Sequence, residues 1–334
     1  MVALWLILVT VLGGCRTTGS ADHGDEAAAL ESVNGADSVD STEEEVAGTI
    51  EARIEAAQRR LESFGDGDPA RAELLHELGD IHREYADEVV RRTNEYYLSS
   101  PCPTASPGTD EYEDCRQRDQ AAEVEIEEHL QAAAHRYGQL LTEFPDYGER
   151  DRILLEQGVL LYMLQREEES AALLTELIEG YPDSQWRYSA HAAMGDHFFF
   201  QDRIHQAVGH YEQALESGDL SVIIYSRYKL GWSHYFDAQY RAAVEQFAQV
   251  YIGASGLEDE AERLRMERDG LRELVRAVAD LGDEEWAIDS LFDLIDDREK
   301  LQVALERLAE FYRGLGQMEE AQAVTEALRE LQSQ

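Results

Sequence analysis

One spacing recurs along this chain and leaves few folds open to it. Gly158, Gly195 and Gly231 stand 37 and 36 residues apart, and Tyr137, Leu174, Tyr211 and Phe247 stand 37, 37 and 36 apart. Ala133, Ser170, Ala207 and Ala243 precede the members of that second series by four residues, while Leu140, Leu177, Ala214 and Val250 follow them by three. Phe144-Pro145-Asp146-Tyr147 and Tyr181-Pro182-Asp183-Ser184 close two of the units. A repeat of this length, apolar at helical spacing, describes a pair of helices that cannot bury its apolar face alone and must stack on its neighbours. Small residues let the two helices approach closely, the large residue fills the gap to the next helix, and proline ends the second helix. No stretch alternates as a strand does, so the expected class is all-α.

The set resembles the tetratricopeptide repeat: a small residue in the first helix, Ala and then an aromatic or Leu in the second, and Pro at the close. The longer period with its Tyr-Pro-Asp-Ser ending is similar to the repeats of bacterial outer-membrane assembly lipoproteins and Tol–Pal-associated proteins. Tyr228-Lys229-Leu230-Gly231-Trp232 is similar to those of gliding-motility lipoproteins. The resemblance implies an α-solenoid of helical hairpins. Extended by Leu78-Gly79 upstream and by Ala287, Leu291, Leu294, Ala309, Tyr312, Ala321 and Leu328 downstream, it predicts six pairs. These are residues 70–98 with 119–143, 149–165 with 168–180, 185–201 with 204–217, 221–237 with 240–253, 258–281 with 284–296, and 298–314 with 317–331, capped by a helix at about 50–63.

Composition narrows the function classes. With 43% hydrophobic residues in 334, wholesale disorder is excluded. A net charge of −41 disfavours nucleic acid, which needs a basic face, and adhesion to anionic lipid. Only Lys229 and Lys300 are lysines, so nearly every cation is a guanidinium.

The amino end reads as an address. Val2–Leu12 is too short an apolar run to span a bilayer, which takes roughly 20 residues. Followed by Gly13-Gly14-Cys15 it has the form of a signal-peptide core, and Leu12-Gly13-Gly14-Cys15 resembles a bacterial lipobox. That resemblance implies cleavage after residue 14, acylation of Cys15 as the mature N-terminus and, with Arg16 behind it, delivery to the outer membrane facing the periplasm. Residues 15–48, acidic and rich in Ala, Ser and Gly, read as a flexible tether, and 49–334 as the solenoid.

Within the solenoid, residues 99–118 read as an insertion in which Pro101, Pro103, Pro107 and Gly108 break the helix. Cys102 and Cys115 lie within it, and in an exported chain such a pair forms a disulfide. Catalytic motifs are not supported by context. Ser226-Arg227-Tyr228-Lys229 has the SxxK spacing of penicillin-binding enzymes but neither companion motif, which leaves a cell-wall hydrolase as a remote alternative. Asp66-Gly67-Asp68-Pro69 lacks the further oxygen donors of a calcium loop. His191, His197, His205 and His210 do not fall at metal-ligand spacing. The expectation is a non-enzymatic scaffold without metal or cofactor.

In the repeat family the first helices line the concave face. Carried onto this chain, that places Leu155, Val159, Tyr162 and Met163 in one unit, Asp196, Phe199 and Phe200 in the next, and Tyr225, Tyr228, Trp232, Tyr235 and Phe236 in the third. Arg272 and Arg276 project onto the same face one unit later, where they could meet a carboxylate. The Lys and Asn of a chaperone-type carboxylate clamp are replaced by Leu155/Val159, Ala192/Asp196 and Tyr228/Trp232. An apolar or aromatic-tipped segment, or a helix, of another envelope protein is therefore the expected ligand. The alternative is an architectural subunit of an assembly, secretion or gliding-motility complex, bound through its convex face.

Overall fold

Among the described residues every regular element is helical: thirteen α-helices and one 3-10 turn, with no strand. The computed structural model describes residues 39–99, 102 and 108–333. The lipobox with Cys15, and the tether up to residue 38, lie outside the described residues. The helices are α1 (Val39–Leu61), α2 (Pro69–Ser99), α3 (Asp110–Glu143), α4 (Arg150–Met163), α5 (Glu167–Gly180), α6 (Arg187–Phe200), α7 (Ile204–Ala214), α8 (Leu220–Phe236), α9 (Tyr240–Gly253), α10 (Glu260–Leu281), α11 (Glu284–Leu294), α12 (Arg298–Gly314) and α13 (Met318–Ser333). No described helix is long and apolar enough to cross a membrane.

The chain falls into two compact units, one ending at Tyr181 and the other starting at Pro182. In the first, α2 pairs with α3 and α4 with α5, and α1 lies along α2. Ile50, Ile54, Ala57 and Leu61 form the buried stripe of α1. In the second unit, α6 pairs with α7, α8 with α9 and α12 with α13.

The repeat's glycines are where one helix meets a ring of its partner. A Cβ added at Gly79 would stand 2.2 Å from Cε1 of Tyr137, at Gly195 2.4 Å from Cε1 of Tyr211, and at Gly231 2.5 Å from Cε1 of Phe247. At Gly158, opposite Leu174 rather than a ring, the approach is a looser 2.9 Å. These rings are fully buried, and burying each contributes about 2–3 kcal/mol.

The turn inside four of the pairs is also repeated. Gln165, Asp202 and Ala238 have φ of 60°, 60° and 56°, and Gly316 has 76°. The amide after each reaches back across the turn: Arg166 N–H donates to Leu161 O at 2.8 Å, Arg203 to Phe198 at 2.9 Å, Gln239 to His234 at 2.8 Å and Gln317 to Tyr312 at 2.9 Å. This is the Schellman ending of the first helix, which needs one left-handed residue.

Three expectations are corrected. α1 begins at Val39, nine residues inside the span read as tether ending at 48. α3 begins at Asp110 rather than 119, so the back half of the insertion is helical. Gly108 turns with φ +87°, Thr109 Oγ1 accepts from Tyr112 N–H at 3.2 Å, and Asp110, Glu111 and Glu113 occupy the first turn. Cys102 and Cys115 have Cα atoms 5.8 Å apart with their sulfurs joined, Cys115 on that first part of α3. Third, α10 lies chiefly on α9 and only marginally on α11. Gly270 brings the two backbones together, since a Cβ there would meet the Tyr251 amide nitrogen at 2.8 Å.

Candidate functional site

The second unit gathers most of the expected aromatic positions into one continuous face. Phe199 and Phe200, at the end of α6, meet edge to face at 5.6 Å, and Phe199 reaches Phe236 of α8 at 5.7 Å. Trp232 stacks on Phe236 at 5.5 Å and meets Tyr235 edge-on at 5.4 Å. Tyr228 and Trp232 both rest on the buried Phe247 of α9, at 6.0 and 5.8 Å. Phe200 and Phe236 stay 48% and 62% exposed. Two large rings left in water on one face, backed by half-buried Trp232 and Tyr235, are the composition of an interface anchor rather than of ordinary surface.

The face is held from below and from the side. Asp196, fully buried, accepts from Tyr211 Oη at 2.6 Å and from Tyr225 Oη, and pairs with Lys229 Nζ at 3.0 Å. Lys229 lies 5.5 Å from the Phe199 ring centre and 5.1 Å from that of Phe200, so the buried cation fixes the aromatics above it. On α10, Glu273 is buried between two guanidiniums, with Arg272 Nε at 2.8 Å and Arg276 Nη1 at 2.8 Å. Arg272 Nη1 also meets Asp269 at 3.0 Å, and Arg276 leans over Trp232 at 5.7 Å. Tyr235 Oη donates to Asp280, and that bond pushes its pKa up to about 12. Tyr228 is raised mainly by burial.

Several expected groove residues are placed elsewhere. Leu155 and Val159 are wholly inside the first unit's core, because α4 packs against both α3 and α5 and has no open apolar side. Tyr162, also in the first unit, is half-buried, as is Met163. Tyr225 is buried with its hydroxyl on Asp196, so it supports the face without lining it. Arg272 and Arg276 are engaged by Glu273 and Asp269, which makes them braces rather than receptors for a partner's carboxylate. Ser226 is buried with its Oγ unpartnered, and Lys229 is bound to Asp196, so the SxxK pair is not set up as nucleophile and base.

The structure brings together four polar clusters whose partners the sequence analysis did not pair. Lys229 and Asp196 are one. His82 with His129 (Nδ1 to Nδ1, 3.0 Å) and His191 with His210 (3.1 Å) are imidazole pairs, one in each unit, each joining the two helices of a hairpin. Burial drives all four below the usual histidine range, His82 and His191 to about 4. The last is His76, Asp80 and Glu156 in the first unit, which converge on one point.

A family model for the tetratricopeptide repeat matches residues 152–184. No curated protein matches the chain by sequence. Among solved structures, MamA is 14% identical with a TM-score of 0.34, covering 66% of this chain and 94% of that one. The C-terminal part of a TPR repeat-containing protein from Cytophaga hutchinsonii is 14% identical with a TM-score of 0.36, covering 78% of this chain and 95% of that one.

Proposed function

We propose that this chain, all-α in its described residues and matched to the tetratricopeptide repeat over residues 152–184, is a scaffold for protein–protein interaction that holds an envelope partner on the aromatic face of its second unit while an acylated Cys15 keeps it at a bacterial membrane. The observation that carries the proposal is the exposure of Phe200 and Phe236 beside Trp232 and Tyr235. A face of rings with little free charge favours an extended segment with apolar or aromatic side chains, or the apolar side of a helix. The lipobox motif supports the anchor, and the Cys102–Cys115 bridge suits an oxidising compartment such as the periplasm.

The test is affinity capture from detergent-solubilised membranes of the native organism with wild type and a Phe200→Ala/Phe236→Ala variant. Truncating two exposed anchors is expected to weaken capture by tenfold or more, since hot-spot aromatics are each worth about 2 kcal/mol. Thermal unfolding should stay unchanged, because both rings stand on the surface. Undiminished capture by the folded variant rejects the face as the binding site. For the anchor, Cys15→Ser should abolish incorporation of labelled palmitate; retained label rejects acylation at Cys15.

A further inference from the structure

In the first unit, the side chains of His76 and Asp80 on α2 and Glu156 on α4 point three donor atoms at one spot, all within 4.8 Å of one another. His76 and Asp80 are four residues apart and share a helix face. His76 is 8% exposed and Glu156 4%. The Nε2 of His76 and the Oε2 of Glu156 are buried without a hydrogen-bond partner, and Oδ2 of Asp80 stands 3.6 Å from that Nε2, too far to bond. Orphaned buried acceptors are rare enough that each calls for an occupant.

The rest of each side chain is already held. Nδ1 of His76 lies 2.9 Å from Tyr147 Oη, Asp80 Oδ1 accepts from Tyr137 Oη at 2.5 Å, and Glu156 Oε1 accepts from Arg152 Nε at 2.8 Å. In the tautomer that donates its Nδ1 proton to Tyr147 Oη, His76 presents a bare lone pair at Nε2 to two carboxylate oxygens. Three acceptors facing one another repel unless a cation sits between them. A second set of contacts that orients each ligand and leaves the inner atoms free is how proteins support a metal.

We propose that His76 Nε2, Asp80 Oδ2 and Glu156 Oε2 form a binding site for one divalent transition-metal ion, with zinc or cobalt as suitable probes. One imidazole and two carboxylates suit this class; calcium asks for six or more oxygens. At bond lengths of about 2.0–2.1 Å a tetrahedral site separates its donors by about 3.4 Å. The His76–Asp80 distance of 3.6 Å is close to that, and Asp80, 37% exposed in its side chain, has room to close the remainder. Arg152 opposes the ion. Its Nη2 is 3.7 Å from Asp80 Oδ2, so it balances the carboxylates as the metal would, but its side chain is 28% exposed and can trade that contact for water. Arg83 adds a second, buried positive charge whose pKa is raised, against the effect of burial, by Glu156 and its neighbours. Affinity is accordingly modest and limited by these two guanidiniums.

The experiment titrates the full purified chain with Co²⁺, then displaces it with Zn²⁺, in excess Mg²⁺ to saturate the acidic surface. Visible absorption reports the coordination geometry. Wild type should bind one Co²⁺ per chain with a low-symmetry, four- or five-coordinate spectrum. His76→Gln should bind at least tenfold more weakly at unchanged helicity, and Arg152→Gln, which keeps a neutral amide donor for Glu156 Oε1 while removing the opposing charge, should bind at least threefold more tightly. Equal binding by wild type and a folded His76→Gln overturns the proposal, as does failure of wild type to bind. Should His76→Gln not fold, the arginine variant decides: tighter binding supports the site and unchanged binding refutes it.

Discussion

Gly195 offers the sharpest test of how these hairpins close. A methyl group there would lie 2.4, 2.6 and 2.8 Å from three carbons of the Tyr211 ring, where carbon atoms prefer 3.5–4.0 Å. The ring has nowhere to go: it is fully buried, and its hydroxyl is tied at 2.6 Å to Asp196, which Lys229 and Tyr225 hold in turn. Relief therefore requires α6 and α7 to separate. Overpacking of this kind costs typically 1–3 kcal/mol and here belongs at or above the top of that range. The better helix propensity of alanine returns about 1 kcal/mol. Gly195→Ala is thus expected to lose about 2 kcal/mol. Gly209, inside α7 with nothing within 4 Å of its virtual Cβ, is the internal control. Gly209→Ala should gain about 0.5–1 kcal/mol from propensity alone. Urea unfolding followed by far-UV circular dichroism measures both in the same protein. A Gly195→Ala midpoint equal to or above that of Gly209→Ala would refute the glycine-under-ring account.

Other outcomes follow from the same contacts. Ala238→Gly relieves a left-handed alanine where Gly316 already serves in the last hairpin; it should stabilise by about 0.5–1 kcal/mol, and a lower unfolding midpoint would contradict the strain. Asp196→Ala strands the Lys229 cation in the core and should cost about 3–5 kcal/mol, much of it restored by adding Lys229→Met; a double variant no better than the single one would show that the charge is not the cause. The four paired histidines have folded pKa values below their unfolded ones, so their contribution is complete above about pH 6.5 and is lost as pH falls toward 4. Asp87, pushed up to about 6 by burial, and Glu262, also raised by burial, work the other way, two groups against four; urea midpoints at pH 7.5 and 5 should fall by less in a His82→Phe/His191→Phe variant, and an equal fall would acquit the pairs.

Much of the fold was legible because its determinants are local and periodic. Small residues, rings and closing prolines recur at 36–37 residues, and the helix ends of the central hairpins lie within a few residues of where that period puts them. The departures have their own physics. The early start of α3 depends on a cap and an acidic first turn, which carry no hydrophobic period. The seating of α10 on α9 depends on Gly270 meeting the Tyr251 backbone, a contact no spacing within α10 announces. Leu155 and Val159 sit where the family's groove positions project, yet a helix packed on both sides has no groove to offer.

The residue after each repeat glycine shows what a joint reading of two positions adds. Where the ring opposite is tyrosine, as in Tyr137 and Tyr211, that residue is Asp80 or Asp196, and each accepts the tyrosine's hydroxyl, at 2.5 and 2.6 Å. Where the opposite residue has no hydroxyl, the residue after the glycine is apolar: Val159 follows Gly158, which meets Leu174, and Trp232 follows Gly231 and packs on Phe247. A buried tyrosine hydroxyl must find an acceptor, so it draws a carboxylate inward. That carboxylate in turn recruits Lys229 in the second unit, and His76, Arg152 and Glu156 gather around its counterpart in the first. Without the hydroxyl, the same place in the hairpin is free to carry a tryptophan that reaches the surface beside Phe236. One oxygen atom on the partner ring thus separates the polar clusters from the aromatic face.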